Sequence, residues 1–528
     1  MEKQDQFRFK PVAIAMLALL GVSLLTGCAT HSDKLGFTKD EATMTYAQSY
    51  EPARQMLLAG EWDALRTTLQ QNAMREVKEV NTGDTAVASG TETKEGVQAT
   101  EVEPAKEALT DEEEYERLVQ GQSELSLIER GLLTLNLGDF KRALFYFDAA
   151  EEKLGLTEDA PDVSAKTSKF GKLGLSMLTG SEELANYELR GYEKVMLLNY
   201  KALCYMLMGD RKAYNVTRRA IDRQQEEWEK FQQLLAANEA ELAQKAKEKS
   251  LSDKEGPTLA DVDTQSSEVK AKAALVSSAY VNPFADYLNA MMLEIDGFDD
   301  PTMRQNAKIA YKKVVDNNAD CTDAKNAVRT VEKGLRKNQK MVQVLLFDGF
   351  APYQVEETKV FELKSQSGRE PLKLAVNFSA AQPVPTNVAR VRVLMKGQKR
   401  DLSSLTKMES LILRDEADRM PMRLGMTMLA YVRSLTGGAL LGNLGTGLMQ
   451  KIQHPDTRSW LTLPNQVYVA RLAVPKNLQS LTLKTYDQNG GVVATEDISL
   501  AKDGPTVVYA VSYNQHLKAY ANPFSWVK

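Results

Sequence analysis

LIERGLLTLNLGDFKRALFYFDAAEEKL, Leu127 to Leu154, reads as helix, Gly-Asp turn, helix. Apolar residues recur three and four apart on both sides of Gly138-Asp139, the period of an amphipathic helix. Gly138 turns the chain. Gly131 and Ala143 are small enough to let two antiparallel helices approach, and Phe140 and Phe147 fill the layer between them. An α-helical hairpin is therefore the unit from which the rest of the chain is read.

These spacings match a tetratricopeptide repeat (TPR), with Ala150 closing the pattern. A weaker hairpin follows, with Ala202 and Tyr205, then Gly209-Asp210, then Ala213 and Ala220. A third opens at Asn282-Pro283, a cap with proline at the first helical position. It runs through Tyr287, Ala290 and Leu293, turns between Gly297 and Pro301, and returns with Ala307, Tyr311 and Val314. Before them, residues 41–80 read as a hairpin around Gly60. Tyr46, Tyr50, Ala53, Met56 and Leu57 share one face of it, and Leu65, Leu69 and Ala73 resume after the turn. The turn glycines 60, 138, 209 and 297 stand about two or more 34-residue TPR periods apart, so the array is irregular, with non-matching helices between hairpins. One is a charged helix from Ile221 to Lys249 with a stripe of Trp228, Phe231, Leu235 and Leu242. It is read as packed on its own solenoid in preference to a coiled-coil contact with a partner. Residues 81–112 and 250–268 read as loops, the first an acidic low-complexity linker.

Near residue 340 the texture changes to short strands: Met341–Phe347, Lys359–Leu363, Leu372–Phe378, Ala389–Met395, Gln466–Val474, Leu481–Tyr486, Val492–Leu500 and Thr506–Ser512. Asn489-Gly490-Gly491 marks a hairpin turn. The fold expected is α then β in several domains. An irregular TPR-like α-solenoid over 113–340 is followed by a β-sandwich-like domain over 341–528, with a helical, glycine-rich insertion at about 405–452.

The N-terminus carries the sharpest functional signal. Lys3, Arg8 and Lys10 precede an uncharged apolar run, Val12 to Leu25, too short for a comfortable membrane span. It ends in Leu25-Thr26-Gly27-Cys28, which resembles the lipobox of bacterial lipoproteins. The resemblance implies a signal peptide over 1–27, attachment of a diacylglycerol to the Cys28 thiol, cleavage before Cys28, and acylation of the new amine, with palmitate-type chains. Several chains give stable anchoring where one is marginal. Ala29 in place of Asp favours the outer membrane, with the protein facing the periplasm.

Composition is that of a globular chain of 528 residues, 43% hydrophobic and 26% charged. The net charge of -5 argues against nucleic acid as a partner. Cys204 and Cys321 are read as buried thiols in preference to a disulfide. His31, His454 and His516 have no ligand spacing, and no metal or cofactor is implied.

The lipobox, Tyr192-Glu193 through Tyr200 to Gly209-Asp210, Asn282-Pro283-Phe284, Gly349-Phe350-Ala351-Pro352 and Asp456-Thr457-Arg458-Ser459-Trp460 through Leu463-Pro464 follow one another in an order that resembles a family of poorly characterised lipoproteins of Gram-negative bacteria. That family combines TPR-like hairpins with a C-terminal β domain. The resemblance implies location and architecture and brings no catalytic residues.

Chemistry-bearing motifs are sparse. Gly437 to Gly447 resembles a phosphate loop superficially but lacks the Gly-Lys-Ser/Thr ending and follows a helix. Residues 424–449 hold a single charge, Arg433, with Gly438 and Gly442 four apart, a spacing that brings helices close in membranes. The segment is read as packed against the β domain, with membrane contact or assembly as the competing reading. Glu193 and Arg218 are a candidate structural ion pair. The expectation is a non-enzymatic, lipid-anchored envelope scaffold that binds protein partners through its hairpins. A self-assembling or export component using 424–449 is the alternative, and a cell-wall hydrolase a minor one.

Overall fold

The computed structural model describes residues 46–71, 110–120, 122–157, 187–248, 267–297, 300–363, 372–420 and 455–523. Described residues up to 333 are helical or irregular, and the first strand opens at Gln339, so the chain is α then β. The helices are α1 (Tyr46–Ala59), α2 (62–71), α3 (Asp111–Val119), α4 (Glu124–Asn136), α5 (Phe140–Lys153), α6 (Gly191–Leu207), α7 (Ala213–Glu248), α8 (Ser267–Ala273), α9 (Pro283–Asp296), α10 (Pro301–Asn317) and α11 (Thr322–Thr330). The hairpins stand as expected: α4–α5, α6–α7 and α9–α10 pack as neighbours. Helix α9 is capped by the Asn282 side chain, which accepts from the Phe284 N–H, with Pro283 in the first turn. Gly131 sits where a Cβ would lie 2.5 Å from the Phe147 ring, the close approach its size permits. The charged helix is not a separate insertion. It continues the return helix of the second hairpin as one 36-residue element, α7. Its first turns bury Val216 and Ala220 against α6 and α9, and Phe231 further along packs on Ala279 and Tyr280.

The strands are β1 (Gln339–Asp348), β2 (Tyr353–Leu363), β3 (Leu372–Gln382), β4 (Arg390–Met395), β5 (Gln398–Asp401), β6 (Ser403–Lys407), β7 (Gln466–Pro475), β8 (Ser480–Tyr486), β9 (Val492–Ser499), β10 (Thr506–Tyr513) and β11 (His516–Pro523), with a helix α12 over 408–420. They form a five-stranded sheet of order β11-β10-β1-β7-β6, a four-stranded sheet β5-β4-β8-β9 and a ribbon β2-β3. In the five-stranded sheet β1 runs parallel to β10 and antiparallel to β7. Side chains alternate along β1. Val342, Val344 and Leu346 share a core with Val391, Val393, Leu481, Leu483 and Ile498 of the four-stranded sheet. Leu345 and Phe347 point the other way, into a core shared with the helices. Both faces of the central sheet are thus covered, which explains why β10 is an unbroken run of buried residues, Thr506 to Tyr513. Sequence reading missed β5, β6 and β11. Leu405, read as the start of a helix, lies in β6 instead, and the helix begins at 408.

The helical layer and the central sheet share one apolar core. The Phe347 ring lies 5.8 Å from Tyr200, 5.4 Å from Phe284 and 5.2 Å from Tyr509. Cys204 and Cys321 are both buried and both free thiols.

Candidate functional site

The site the structure assembles lies where the hairpins meet residues 456–464. Glu129, midway along α4, and Glu193, in the first turn of α6, are both fully buried. Neither faces solvent as a helix-surface glutamate ordinarily would. Each is aimed at the chain's own backbone. The Trp460 N–H donates to Glu193 Oε1 at 3.0 Å, and the Tyr187 hydroxyl donates to both carboxylate oxygens, at 2.9 and 2.7 Å. The Arg190 N–H closes the set at 2.8 Å. On Glu129, the Leu461 N–H donates to Oε1 at 2.5 Å and the Thr462 N–H to Oε2 at 3.1 Å, with the Thr462 hydroxyl also against Oε2. Two helices therefore grip three consecutive residues, Trp460 to Thr462, by their main chain.

The electrostatics follow from burial. Desolvation raises the Glu129 carboxyl to about 8, against the lowering effect of its Thr462 and Leu461 donors, and the nearby Glu193 pushes it in the same direction. Desolvation also raises Glu193, opposed by the Arg190 and Trp460 N–H groups and the Tyr187 hydroxyl. Near neutrality Glu129 holds its proton. Paired carboxylates with raised affinity for protons can do acid–base work. Here the four oxygens are committed to the chain's own donors, so the arrangement acts as a clamp. Trp460 itself is fully buried, its ring 5.7 Å from Tyr200, and its indole N–H donates to the Thr462 hydroxyl at 3.1 Å.

A second polar cluster adjoins the clamp. Arg190 bridges Asp415 and Glu416 of α12, each at 3.2 Å. Arg419 bonds Asp415 at 2.7 Å, and its guanidinium lies 5.3 Å from the centre of the Phe231 ring on α7. The facing arginines outweigh burial and hold the Asp415 carboxyl below the usual carboxylate range. Helix α12 is thus pinned to the start of α6 and the middle of α7.

The predicted site residues fare differently. The Glu193–Arg218 pair does not form: Glu193 is taken by Tyr187, Arg190 and Trp460, while Arg218 is exposed on α7. The neighbouring Arg219 reaches Glu151 instead. A buried first-turn carboxylate beside unsatisfied N–H groups is better served by those than by a distant cation. Cys28, Gly438, Gly442 and all of 424–449 lie outside the described residues. Among the described residues no helix is long and apolar enough to cross a membrane, and no group of three His, Cys, Asp or Glu side chains is gathered as a metal site would be.

Sequence reasoning passed over Glu129. Its one signal is a Glu-Arg pair, Glu129-Arg130, inside an otherwise apolar helix face. No protein-family model, no curated protein and no solved structure matches the chain.

Proposed function

We propose that the chain is an acylated scaffold of the bacterial cell envelope, anchored through Cys28 to the outer membrane and facing the periplasm, that binds protein partners without catalysis. The lipobox at Leu25 to Cys28 carries this reading. The finer architecture belongs with it: the hairpins serve as an irregular TPR-like solenoid, and the two packed sheets as a sandwich. What supports the pairing is the clamp. TPR-type grooves recognise extended segments, and here the hairpins hold Trp460 to Thr462 of their own chain through backbone amides. The sheet covers that inner face, so the surface left for partners is the outer face of the hairpins and the exposed side of the middle of α7, where Trp228 and Leu234 are 37% and 41% exposed.

Photo-crosslinking in cells from positions 228 and 234 tests this. A single envelope protein captured from both positions, and lost with Leu234→Asp, supports the reading; capture from neither position ends it. The second reading, self-assembly through 424–449, rests on the sparse charge and the Gly438/Gly442 spacing. Deleting that segment should then yield a folded chain that has lost only self-association.

A further inference from the structure

Residues 301–337 cover α10, α11 and a 3-10 turn at Val331–Lys333. They hold nine Lys and Arg against four Asp and Glu, in a chain whose net charge is -5. Two of the four acids are already committed. Asp323 is buried and taken by Arg400 and the Ser403 hydroxyl, and Glu332 is bridged to Lys308 at 2.6 Å. Asp316 and Asp320 are exposed at and just past the end of α10. Lys312, Lys325, Arg329, Lys333, Arg336 and Lys337 are all exposed, and among the described residues none of them forms an ion pair.

The fold gathers these cations on one face. Residues 304, 308 and 312 follow one another at helical i, i+4 spacing along α10 and share an edge of it. The Lys308–Glu332 bridge, with the Arg304 Nε donating to the Glu332 carbonyl at 3.3 Å, lays the turn after α11 along that edge. Helix α11 packs on α10 and runs back beside it. Lys312, one turn beyond Lys308, therefore falls level with Arg329, one turn before Lys333, and Lys325 stands a turn further on. Ile309, 56% exposed, lies on the same side of α10 as Lys312 and Lys313. Like charges held this close repel one another, and an anionic counter-surface removes the repulsion.

An anionic membrane suits this face better than a folded acidic partner. The cations are long side chains spread over two helices and a turn, not gathered around a pocket, so they match mobile phosphate headgroups. Ile309 supplies an apolar side chain to enter between those headgroups. We propose that the α10–α11 face docks on an anionic phospholipid surface and lays the body of the chain against the membrane. Its setting at a membrane rests on the Cys28 anchor proposed above, while the face itself is built from described residues.

The test is run without acyl groups, so that either reading can fail alone. The mature chain from residue 28 carries Cys28→Ser and keeps every described residue. It is sedimented at physiological ionic strength with vesicles of phosphatidylethanolamine and phosphatidylglycerol, and with vesicles of phosphatidylcholine alone. The first retain it and the second do not, and retention falls as salt is raised. Arg329→Glu with Lys333→Glu weakens retention roughly tenfold or more, and Arg329→Gln with Lys333→Gln weakens it less. Both pairs leave the thermal unfolding midpoint unchanged, because the side chains are exposed and unpaired. Arg218→Glu, on the exposed side of α7, leaves retention as it was. Equal retention on both kinds of vesicle, indifference to the reversals at 329 and 333, or an equal loss with Arg218→Glu would each overturn the proposal. Binding to soluble polyglutamate with none to the vesicles would overturn it too, and would give the face to an acidic protein.

Discussion

Gly138 at the turn between α4 and α5 and Tyr520 on β11 meet so closely that a Cβ on the glycine would collide with the edge of the phenol ring. The backbone there has φ +81°, a conformation that L side chains rarely adopt. The Tyr520 hydroxyl also donates to the Asn136 carbonyl at 3.1 Å, and His516, four residues earlier on β11, blocks a Cβ at Gly60 in the same way. The final strand therefore seals two hairpin turns 78 residues apart in the chain.

Gly138→Val should destabilise the fold for two separable reasons. The positive φ costs about 1–2 kcal/mol, and overpacking against the ring costs about 1–3 kcal/mol more. Thermal unfolding of Gly138→Ala with and without Tyr520→Ala separates them. The ring deletion should relieve the collision and leave the φ cost. Equal stability of Gly138→Val and wild type would remove the turn from this account.

What could be read from the sequence was local. The Gly138 turn, the Asn282-Pro283 cap and the Gly490 turn, φ +83°, each depend on neighbours within a few residues. What escaped was non-local. Glu129 looked like any helix glutamate because its partners stand 332 and 333 residues further on. Strand β11 escaped because Leu517, Ala519 and Ala521, which pack toward the four-stranded sheet, alternate with His516, Lys518 and Tyr520 too weakly to stand out before the paired partner is known. The Glu193–Arg218 pair failed for a related reason: proximity on a hairpin was inferred from spacing, while burial decided the partner.

Glu129 should give the protein a pH dependence opposite to that of an ion-paired acid. The folded carboxyl holds its proton up to about pH 8, whereas its unaltered value is 4.5. Between these values the folded state binds the extra proton, so stability falls as pH rises. The contribution is fully present below about pH 4.5 and is lost as pH passes about 8. Asp348, raised to about 7 by burial, acts in the same direction, so the comparison must be with Glu129→Gln. Unfolding midpoints at pH 5, 6, 7 and 8 should show the wild type losing ground to that variant as pH increases. Parallel profiles would contradict it.

Cys28→Ala should abolish labelling by a palmitate analogue and leave an uncut precursor, because Cys28 is the expected site of lipid attachment and its modification precedes the cut. The same variant should be lost from the outer-membrane fraction if the acyl chains supply the anchor there. Undiminished labelling of the alanine variant would end the lipoprotein reading.

Arg471 on β7 should be costly to lose. Its guanidinium meets the Glu294 carboxylate of α9 through Nε and Nη2, with both side chains 9% exposed, and its Nη1 donates to the Thr330 hydroxyl of α11 at 3.0 Å. Glu294 also accepts from the Tyr311 hydroxyl at 2.8 Å, and Gln343 of β1 bridges Tyr311 and Tyr287. One network thus joins three helices to two strands of the central sheet. Arg471→Ala strands the Glu294 charge in the interior, at a cost of about 3–5 kcal/mol. Removing both charges with Arg471→Met and Glu294→Met leaves no orphaned ion, so the double variant should be more stable than Arg471→Ala alone. Chemical denaturation of Arg471→Ala beside the wild type, Arg471→Met, Glu294→Met and the double variant, the last four read as a double-mutant cycle, checks this. If the two substitutions simply add, the pair is not coupled, and the helix–sheet junction depends on apolar packing such as that of Phe347 and Phe284 instead.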